Sequence, residues 1–505
     1  MKLGKVTTQA SNQTELTQED RSNIVQIAPV PSSQSTAVKQ QLPTATTGIV
    51  SSGYVPSSMF VDEHDAIIAV LLARKHGDNL IFDADKKQWR VFCNGMWCGP
   101  EEARRLIWWD YNRLIIDIYE HKYPDLPIGN EEWLTNSMNR SKRAAVMKDV
   151  EILTARGGSD LDAKQDLIGI QDMVYDIQVK GVRPALASDL VFKSLGTIHE
   201  PNALCPEWEK FLNTTMQGDQ EMISYLQRLV GYFLTASTQE QEIYYFYGSG
   251  ANGKSTFLDL VKALLGSYGV KLSSDTFMKG RNGAANIGKQ SNLANLEGAR
   301  LAITDETNDT DVSFDVQNLK SISGDDELTA RRLRHNPRTF KSTSKVVMYG
   351  NDKPHGNIND EGFWRRFRFI KFGYVVPKED RVSDLLDQLK GELPGILNWA
   401  LRGLEDWHKD GLQTPEKIID ESADYREELD TVSEFLVKNV VQATGNTVHL
   451  LTLFDGYADW CNNNMKVPET KQAFSKRLKR YFEANEMVKP HKTNKTRGYT
   501  GIRLI

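Results

Sequence analysis

The octet Gly248-Ser249-Gly250-Ala251-Asn252-Gly253-Lys254-Ser255 combines the residue types that phosphate chemistry needs. Glycines let the backbone turn its N–H groups inward, close to phosphate oxygens. Lys254 supplies a point charge for the β- and γ-phosphates, and the Ser255 hydroxyl is a ligand for Mg²⁺. Gly, four residues, then Gly-Lys-Ser is the P-loop spacing. The setting agrees. Ile243 to Tyr247 reads as a buried strand before the loop, and Thr256 to Leu265 as a helix after it. That helix's N-terminus adds positive potential. ATP with Mg²⁺ is the expected ligand pair.

Hydrolysis needs more than a phosphate cradle. Arg300-Leu301-Ala302-Ile303-Thr304-Asp305-Glu306 is a short apolar strand ending in two carboxylates. Asp305 is expected to hold the Mg²⁺ shell and Glu306 to polarise the attacking water. Lys345 to Asn351 is another strand with a polar tip. An amide at Asn351 can bond both the γ-phosphate and the lytic water, although Asn-Asp-Lys-Pro is also an ordinary turn signal.

Three basic segments accompany this set. Gly362 to Phe372 alternates arginines with aromatics around Arg365 and Arg366. It reads either as an edge strand with one wet face or as the source of a cation for a neighbouring subunit's γ-phosphate. Leu319 to Phe340 reads as a helix, a turn and a hairpin whose tip gathers Arg331, Arg334, His335 and Arg338, a charge pattern suited to backbone phosphates. Gln472 to Phe482 is an amphipathic helix, with Phe474, Leu478 and Phe482 inside and Lys476, Arg477, Lys479 and Arg480 largely outside; a hairpin follows. A fourth cluster, Asn139 to Arg143, reads as a solvated face or a nucleic-acid contact.

The elements that must position these residues fill a chain of 505 residues, long enough for about three domains at roughly 150 each. The formal charge of −5 excludes only a uniformly basic protein. Lys471 to Ile505 carries ten Lys and Arg against two Glu, so its local charge is +8. Four cysteines do not make a disulfide scaffold. Cys93 and Cys98 have no His or Cys pair at zinc-ligand spacing and are expected as thiols. The N-terminus lacks signal-peptide character and no apolar run approaches the roughly 20 residues of a membrane span. The expected location is intracellular, in the cytoplasm of the host, with no membrane partner. Residues 1–56, rich in Ser, Thr and Gln, are expected to be a disordered polar arm. Residues 57–205 read as mostly helical, and 206–376 as an α/β core with a parallel sheet. Residues 377–505 read as a helical linker and a helix-hairpin domain.

The motif order resembles superfamily 3 helicases, in the branch of phage and plasmid primase-helicases and the poxvirus nucleoside triphosphatase. The form Gly-x-Gly-x-Asn-Gly-Lys-Ser-Thr stands at Gly248 to Thr256. Cys205 to Trp208 and Gly231 to Thr235 resemble the segment before that family's ATPase core. Lys320, Gly324-Asp325 and Ala330-Arg331 resemble the element before its DNA-binding hairpin, and Trp364-Arg365-Arg366 its arginine-finger segment. The chain departs from the family in two places. It has Gly324-Asp325-Asp326 where Gly-Gly-Asp is frequent, and Gln171-Asp172-Met173 where Asn-Gly is common.

The resemblance implies an AAA+ P-loop core, a mostly helical domain before it and a winged helix after it. It implies an ATP-dependent replicative DNA helicase of a phage, plasmid or mobile element, moving 3′ to 5′ on single-stranded or forked DNA. A homo-oligomer, hexameric, is expected, with Arg366 as the finger and Arg365 as the fallback. Lys320, the hairpin and the C-terminal basic helix are expected to contact DNA. No room for a primase module is expected, so priming falls to a separate primase or other replication protein. The alternatives are an AAA+ origin initiator or helicase loader that remodels without processive unwinding, and a DNA-binding protein with a relict P-loop.

Overall fold

A computed structural model describes residues 63–123, 131–157, 160–278, 287–304, 314–324, 326–331, 337–353, 361–428, 430–483, 487–493 and 496–505. The arm expected over residues 1–56, the carboxylates Asp305 and Glu306, and the hairpin-tip residues Arg334 and His335 lie outside these residues.

The first described part alternates helix with short strand: α1 (Glu63–His76), β1 (Leu80–Asp83), β2 (Gln88–Cys93), β3 (Met96–Cys98), α2 (Pro100–Tyr119), α3 (Glu131–Ser137), α4 (Arg140–Leu153) and β4 (Ala155–Arg156). The strands pair in the order β3-β2-β1-β4. Helices and sheet enclose a core built on Ile68, Leu72, Trp89, Tyr111 and Val146. Helices carry most of this part, and its strands are only two to six residues long. Cys93 and Cys98, expected as thiols, are joined in a disulfide. The hairpin register explains the pairing. Cys93 opposes Met96 and Cys98 opposes Val91, so the two cysteines are diagonal neighbours on one face, their Cα atoms 6.5 Å apart.

A three-stranded antiparallel meander follows, β5 (Leu167–Ile170), β6 (Met173–Asp176) and β7 (Gly181–Pro184). Its Ile168, Ile170 and Tyr175 enter the same core as α5 (Pro206–Thr215) and α6 (Gln220–Phe233). In packing terms the central body thus runs across the divisions expected at 205 and 376, since α12 below also joins this core.

The chain then runs β8 (Ile243–Tyr247), α7 (Lys254–Leu265), β9 (Gly269–Leu272), α8 (Ile287–Ala294), β10 (Leu301–Thr304), α9 (Val316–Ser323), β11 (Glu327–Ala330), β12 (Arg338–Lys341), β13 (Lys345–Gly350), α10 (Glu361–Trp364) and β14 (Phe367–Lys371). Five of these strands form one parallel sheet in the order β14-β8-β13-β10-β9. The apolar runs of β8 and β10 are buried throughout, as a parallel sheet covered on both faces requires. Alternate residues feed opposite cores. Tyr244, Phe246 and Ile303 point to one, and Ile243, Tyr245 and Ala302 to the other. β11 and β12 pair as a separate antiparallel hairpin.

Two buried cations fasten α6 beneath this sheet, at the ends of β10 and β13 remote from the phosphate loop. Arg300 donates to the carbonyls of Leu234 and Leu167 and stacks over Tyr268 at 4.2 Å. Lys345 donates to the Thr235 carbonyl and lies 4.9 Å over Tyr232. Cations are favoured where a helix leaves its last carbonyls unpaired.

Beyond the sheet come α11 (Leu385–Gly391), α12 (Leu393–Asp410) and α13 (Glu416–Glu428), which bury Trp399 and Leu404 in one face's core and Tyr425 in the other's. The last part is α14 (Thr431–Asn439), β15 (Val440–His449), α15 (Leu450–Asn463), α16 (Lys471–Glu483), β16 (Lys489–Lys492) and β17 (Arg497–Leu504). Its strands order β15-β17-β16, over a separate core that includes Phe435, Tyr457, Phe474 and Leu478. Among the described residues no helix is long and apolar enough to cross a membrane.

Candidate phosphate-binding site

The parallel sheet brings the C-terminal ends of β8, β13 and β10 side by side, with β13 in the middle. Ligands of open parallel sheets bind beyond these ends. The glycine-rich loop leaves β8 here. Gly248 sits at φ 145°, and a Cβ there would lie 2.1 Å from the Phe372 carbonyl oxygen. Gly253, at φ 82°, starts α7, and a Cβ there would meet the Phe211 ring at 3.0 Å. Both positions need glycine for the turn and for the close approach.

The loop is fastened from behind by groups that leave its front open. The buried Asn252 side chain donates to the Phe372 carbonyl at 2.8 Å and accepts from the Lys254 N–H at 3.4 Å. The Val376 N–H donates to the Ala251 carbonyl at 2.9 Å. The buried Lys254 ammonium donates to the Gly248 carbonyl at 3.1 Å, folding its charge under the loop. Ser255 is exposed and Thr256 half-buried on the first turn of α7. Gly250 through Thr256, with Tyr349 and Asn351, line a cleft of about 190 Å³.

Asn351 stands at the end of β13 and its carbonyl accepts the Gly248 N–H at 3.2 Å, so the polar tip and the phosphate loop touch. Residues not anticipated from sequence hold this tip. The Tyr245 hydroxyl donates to the Asp352 carbonyl at 2.9 Å. Lys353 pairs with Glu421 of α13 at 2.6 Å and lies over the rings of Tyr247 and Tyr425. Burial alone would raise the Glu421 carboxyl, but hydrogen bonds from Lys353 and Tyr247 bring it below the usual value. A lone lysine after a turn signal gives no sequence cue to such a partner.

β10 lies beside β13 and its described part ends at Thr304, so Asp305 follows directly in the chain. Hard oxygen donors, one hydroxyl and one carboxylate, with phosphates and water completing the shell, are a donor set that suits Mg²⁺. Among the described residues no cluster of three or more His, Cys, Asp or Glu offers a self-contained metal cage.

The basic residues divide by exposure. Arg365 is exposed. Arg366 is 8% exposed, donating to the Gly362 carbonyl at 3.1 Å and towards the Gln241 side chain at 3.5 Å. Lys320 is half-buried on α9, and Arg331 is exposed where β11 ends. Arg338 is engaged within the chain, with Asp85 at 2.9 Å and Glu297 at 3.2 Å. In α16, Lys476, Lys479 and Arg480 are exposed. Arg477 instead turns inward to Asp430 at 2.6 Å and Glu469 at 3.0 Å.

Near Arg366, at the start of β8, Glu242 is 8% exposed and pairs with Arg368 at 2.6 Å. Burial pushes its carboxyl up to about 7, against the opposing pull of Arg368. The folded form therefore binds more protons than the unfolded chain between about pH 4.5 and about pH 7. Stability from this group is full below that window and is lost as pH rises through it. In thermal melts across this range, Glu242→Gln is expected to remove that part of the fall. Parallel wild-type and variant profiles would refute the assignment.

Two families match separate parts of the chain: one described as "D5 N terminal like" over residues 69–217, and one described as a family of unknown function, DUF5906, over residues 246–366. A protein of Acanthamoeba polyphaga mimivirus, "Putative helicase L207/L206", is 26% identical over 62% of this chain and 35% of its own length. "Putative primase C962R" of African swine fever virus is 24% identical over 83% of this chain and 47% of its own. "Putative helicase 022R" of Frog virus 3 is 24% identical over 45% of this chain and 25% of its own. The chain thus spans between a quarter and a half of these relatives. Among solved structures, the apo C-terminal region of NrS-1 aligns at 12% identity with a TM-score of 0.48, covering 87% of this chain and 100% of that one. By sequence, the chain is related at low identity to viral proteins of the primase and helicase type.

Proposed function

We propose that the chain is the ATP-hydrolysing motor of a replicative DNA helicase, with an AAA+ core of the superfamily 3 type acting as a ring, hexameric, on single-stranded or forked DNA. The observation that carries the reading is the strand order β14-β8-β13-β10-β9. It seats Asn351 between the phosphate loop and the strand that leads into Asp305 and Glu306. Viral relatives named as helicases and primases support the same reading.

In this mechanism the loop N–H groups from Gly250 to Ser255 cradle the phosphates. Lys254 leaves the Gly248 carbonyl and places its charge on the β- and γ-oxygens. Ser255 and Asp305 would hold Mg²⁺, which would supply charge neutralisation on the phosphates. Glu306 polarises the attacking water, and Asn351 orients it against the γ-phosphate. Arg365, exposed where Arg366 is buried, reaches a neighbouring subunit's site. Lys320, Arg331, Arg334 and His335 contact one strand of DNA. The helix-strand-helix-helix-strand-strand order of residues 431–504 supports reading this part as a winged helix, with Lys476, Lys479 and Arg480 facing DNA.

Displacement of a labelled strand from a forked duplex tests this. Wild type is expected to unwind the fork with ATP, and Arg334→Ala/His335→Ala to keep hydrolysis while losing displacement. Wild-type hydrolysis with no displacement of any fork sinks the helicase reading and leaves an AAA+ initiator or loader.

A further inference from the structure

The exposed aromatic face of α2 lies far along the chain from the phosphate site, in the part preceding the central sheet. α2 buries Ala103, Ile107, Tyr111, Leu114, Ile115 and Ile118. Its opposite side carries two adjacent indoles, Trp108 at 53% and Trp109 at 68% exposure. Burying an indole is among the larger gains a fold can make, yet these two are left in solvent.

Arginines surround them. Arg105 and Arg113 stand one turn to either side of Trp109, at the spacing that puts side chains on one helix face. Arg143, in the first turn of α4, lies over the Trp108 ring with its guanidinium carbon 5.3 Å from the centroid. Arg140, at the start of the same helix, is exposed. Arg105 pairs with Glu102 at 3.1 Å and Arg113 with Asp117 at 3.3 Å. Such exposed pairs are worth about 1 kcal/mol or less and exchange readily for a phosphate. The frame beneath is firm. The Tyr111 hydroxyl donates to the Ser137 carbonyl at 2.6 Å, tying α2 to the α3–α4 turn, and Lys142 pairs with Asp65 of α1 at 3.1 Å.

We propose that this face binds single-stranded DNA, stacking bases on Trp108 and Trp109 while Arg105, Arg113, Arg140 and Arg143 follow the phosphates. Aromatic rings interleaved with cations are what an unpaired strand requires, because every base offers a π-face and every nucleotide a charge. A duplex hides its base faces and gives the indoles nothing to stack on. The proposal rests on the reading that the chain works on DNA, and it adds a site separate from the hairpin and the C-terminal helix.

Fluorescence anisotropy of the full chain with a dye-labelled oligothymidylate, and with an abasic oligomer of equal length, tests it. Trp108→Ala/Trp109→Ala is expected to weaken oligothymidylate binding by roughly ten- to a hundredfold. Binding of the abasic oligomer and the melting temperature should stay unchanged. Arg140→Ala/Arg143→Ala should lower the log–log salt slope by about 1.4, about 0.7 for each phosphate contact. Unchanged oligothymidylate binding in the tryptophan variant, with wild type binding normally, overturns the platform alone. A variant that changes sedimentation but not binding also overturns it and makes the face a contact between copies of the chain. Failure of wild type to bind either oligomer overturns the DNA reading as a whole.

Discussion

Replacing Lys254 with alanine is expected to reduce ATP hydrolysis by on the order of 10² to 10³-fold, the scale found when one preorganised charge stabiliser is removed. Two features make this variant clean. The loop does not depend on the lysine for its shape, since Asn252 on the Phe372 carbonyl and Val376 on the Ala251 carbonyl hold it from behind. The ammonium donates to the Gly248 carbonyl, just before the residues that line the cleft. The melting temperature should therefore move by only a few degrees, while phosphate release collapses and binding of a fluorescent ATP analogue weakens. Phosphate release at the wild-type rate would show that the loop is not the phosphate site, and would revive the reading of a relict P-loop.

The parts of the site legible in sequence are those whose residue types answer a local demand. Gly248 and Gly253 are glycines because no Cβ fits their backbone angles and neighbours, and Lys254-Ser255 follow at fixed spacing. The strand before the loop and the strand ending at Asn351 were legible because fully buried strands read as continuous apolar runs. What sequence could not give was which side of an element faces a partner distant in the chain. Arg477 falls on the outer part of an amphipathic pattern, yet two carboxylates, Asp430 capping α14 and Glu469 in the α15–α16 connection, draw it inward. Cys93 and Cys98 meet because of a strand register, and register is set by cross-strand fit rather than by spacing. Arg300 and Lys345 give no local sign of their partners, the carbonyls at the end of α6.

Arg365 and Arg366 are the sharpest instance, and their exchange of roles gives the second large effect. The turn between α10 and β14 sends one arginine outward and the next inward. Arg366 fills a site at the base of β14, where its backbone carbonyl also accepts the Ile243 N–H at 2.8 Å. Losing its buried guanidinium removes the bonds to the Gly362 carbonyl and the Gln241 side chain, so Arg366→Ala should cost about 1–3 kcal/mol of stability, seen as a lowered denaturation midpoint. Arg365 makes no such demand on the fold. Arg365→Ala should leave the melting temperature in place and lower hydrolysis by about 10³-fold or more, the scale of an arginine finger. Mixing decides whether the arginine acts across an interface. Arg365→Ala subunits keep a working phosphate loop, and Lys254→Ala subunits keep a working Arg365. Combined in one ring, some interfaces pair an intact loop with an intact arginine, and hydrolysis should return although each variant alone is inactive. A mixed assembly that forms but stays inactive would place the finger elsewhere. If Arg366→Ala kills hydrolysis at unchanged stability while Arg365→Ala is silent, the turn must open in the working ring and Arg366 must leave its pocket to reach the neighbouring site.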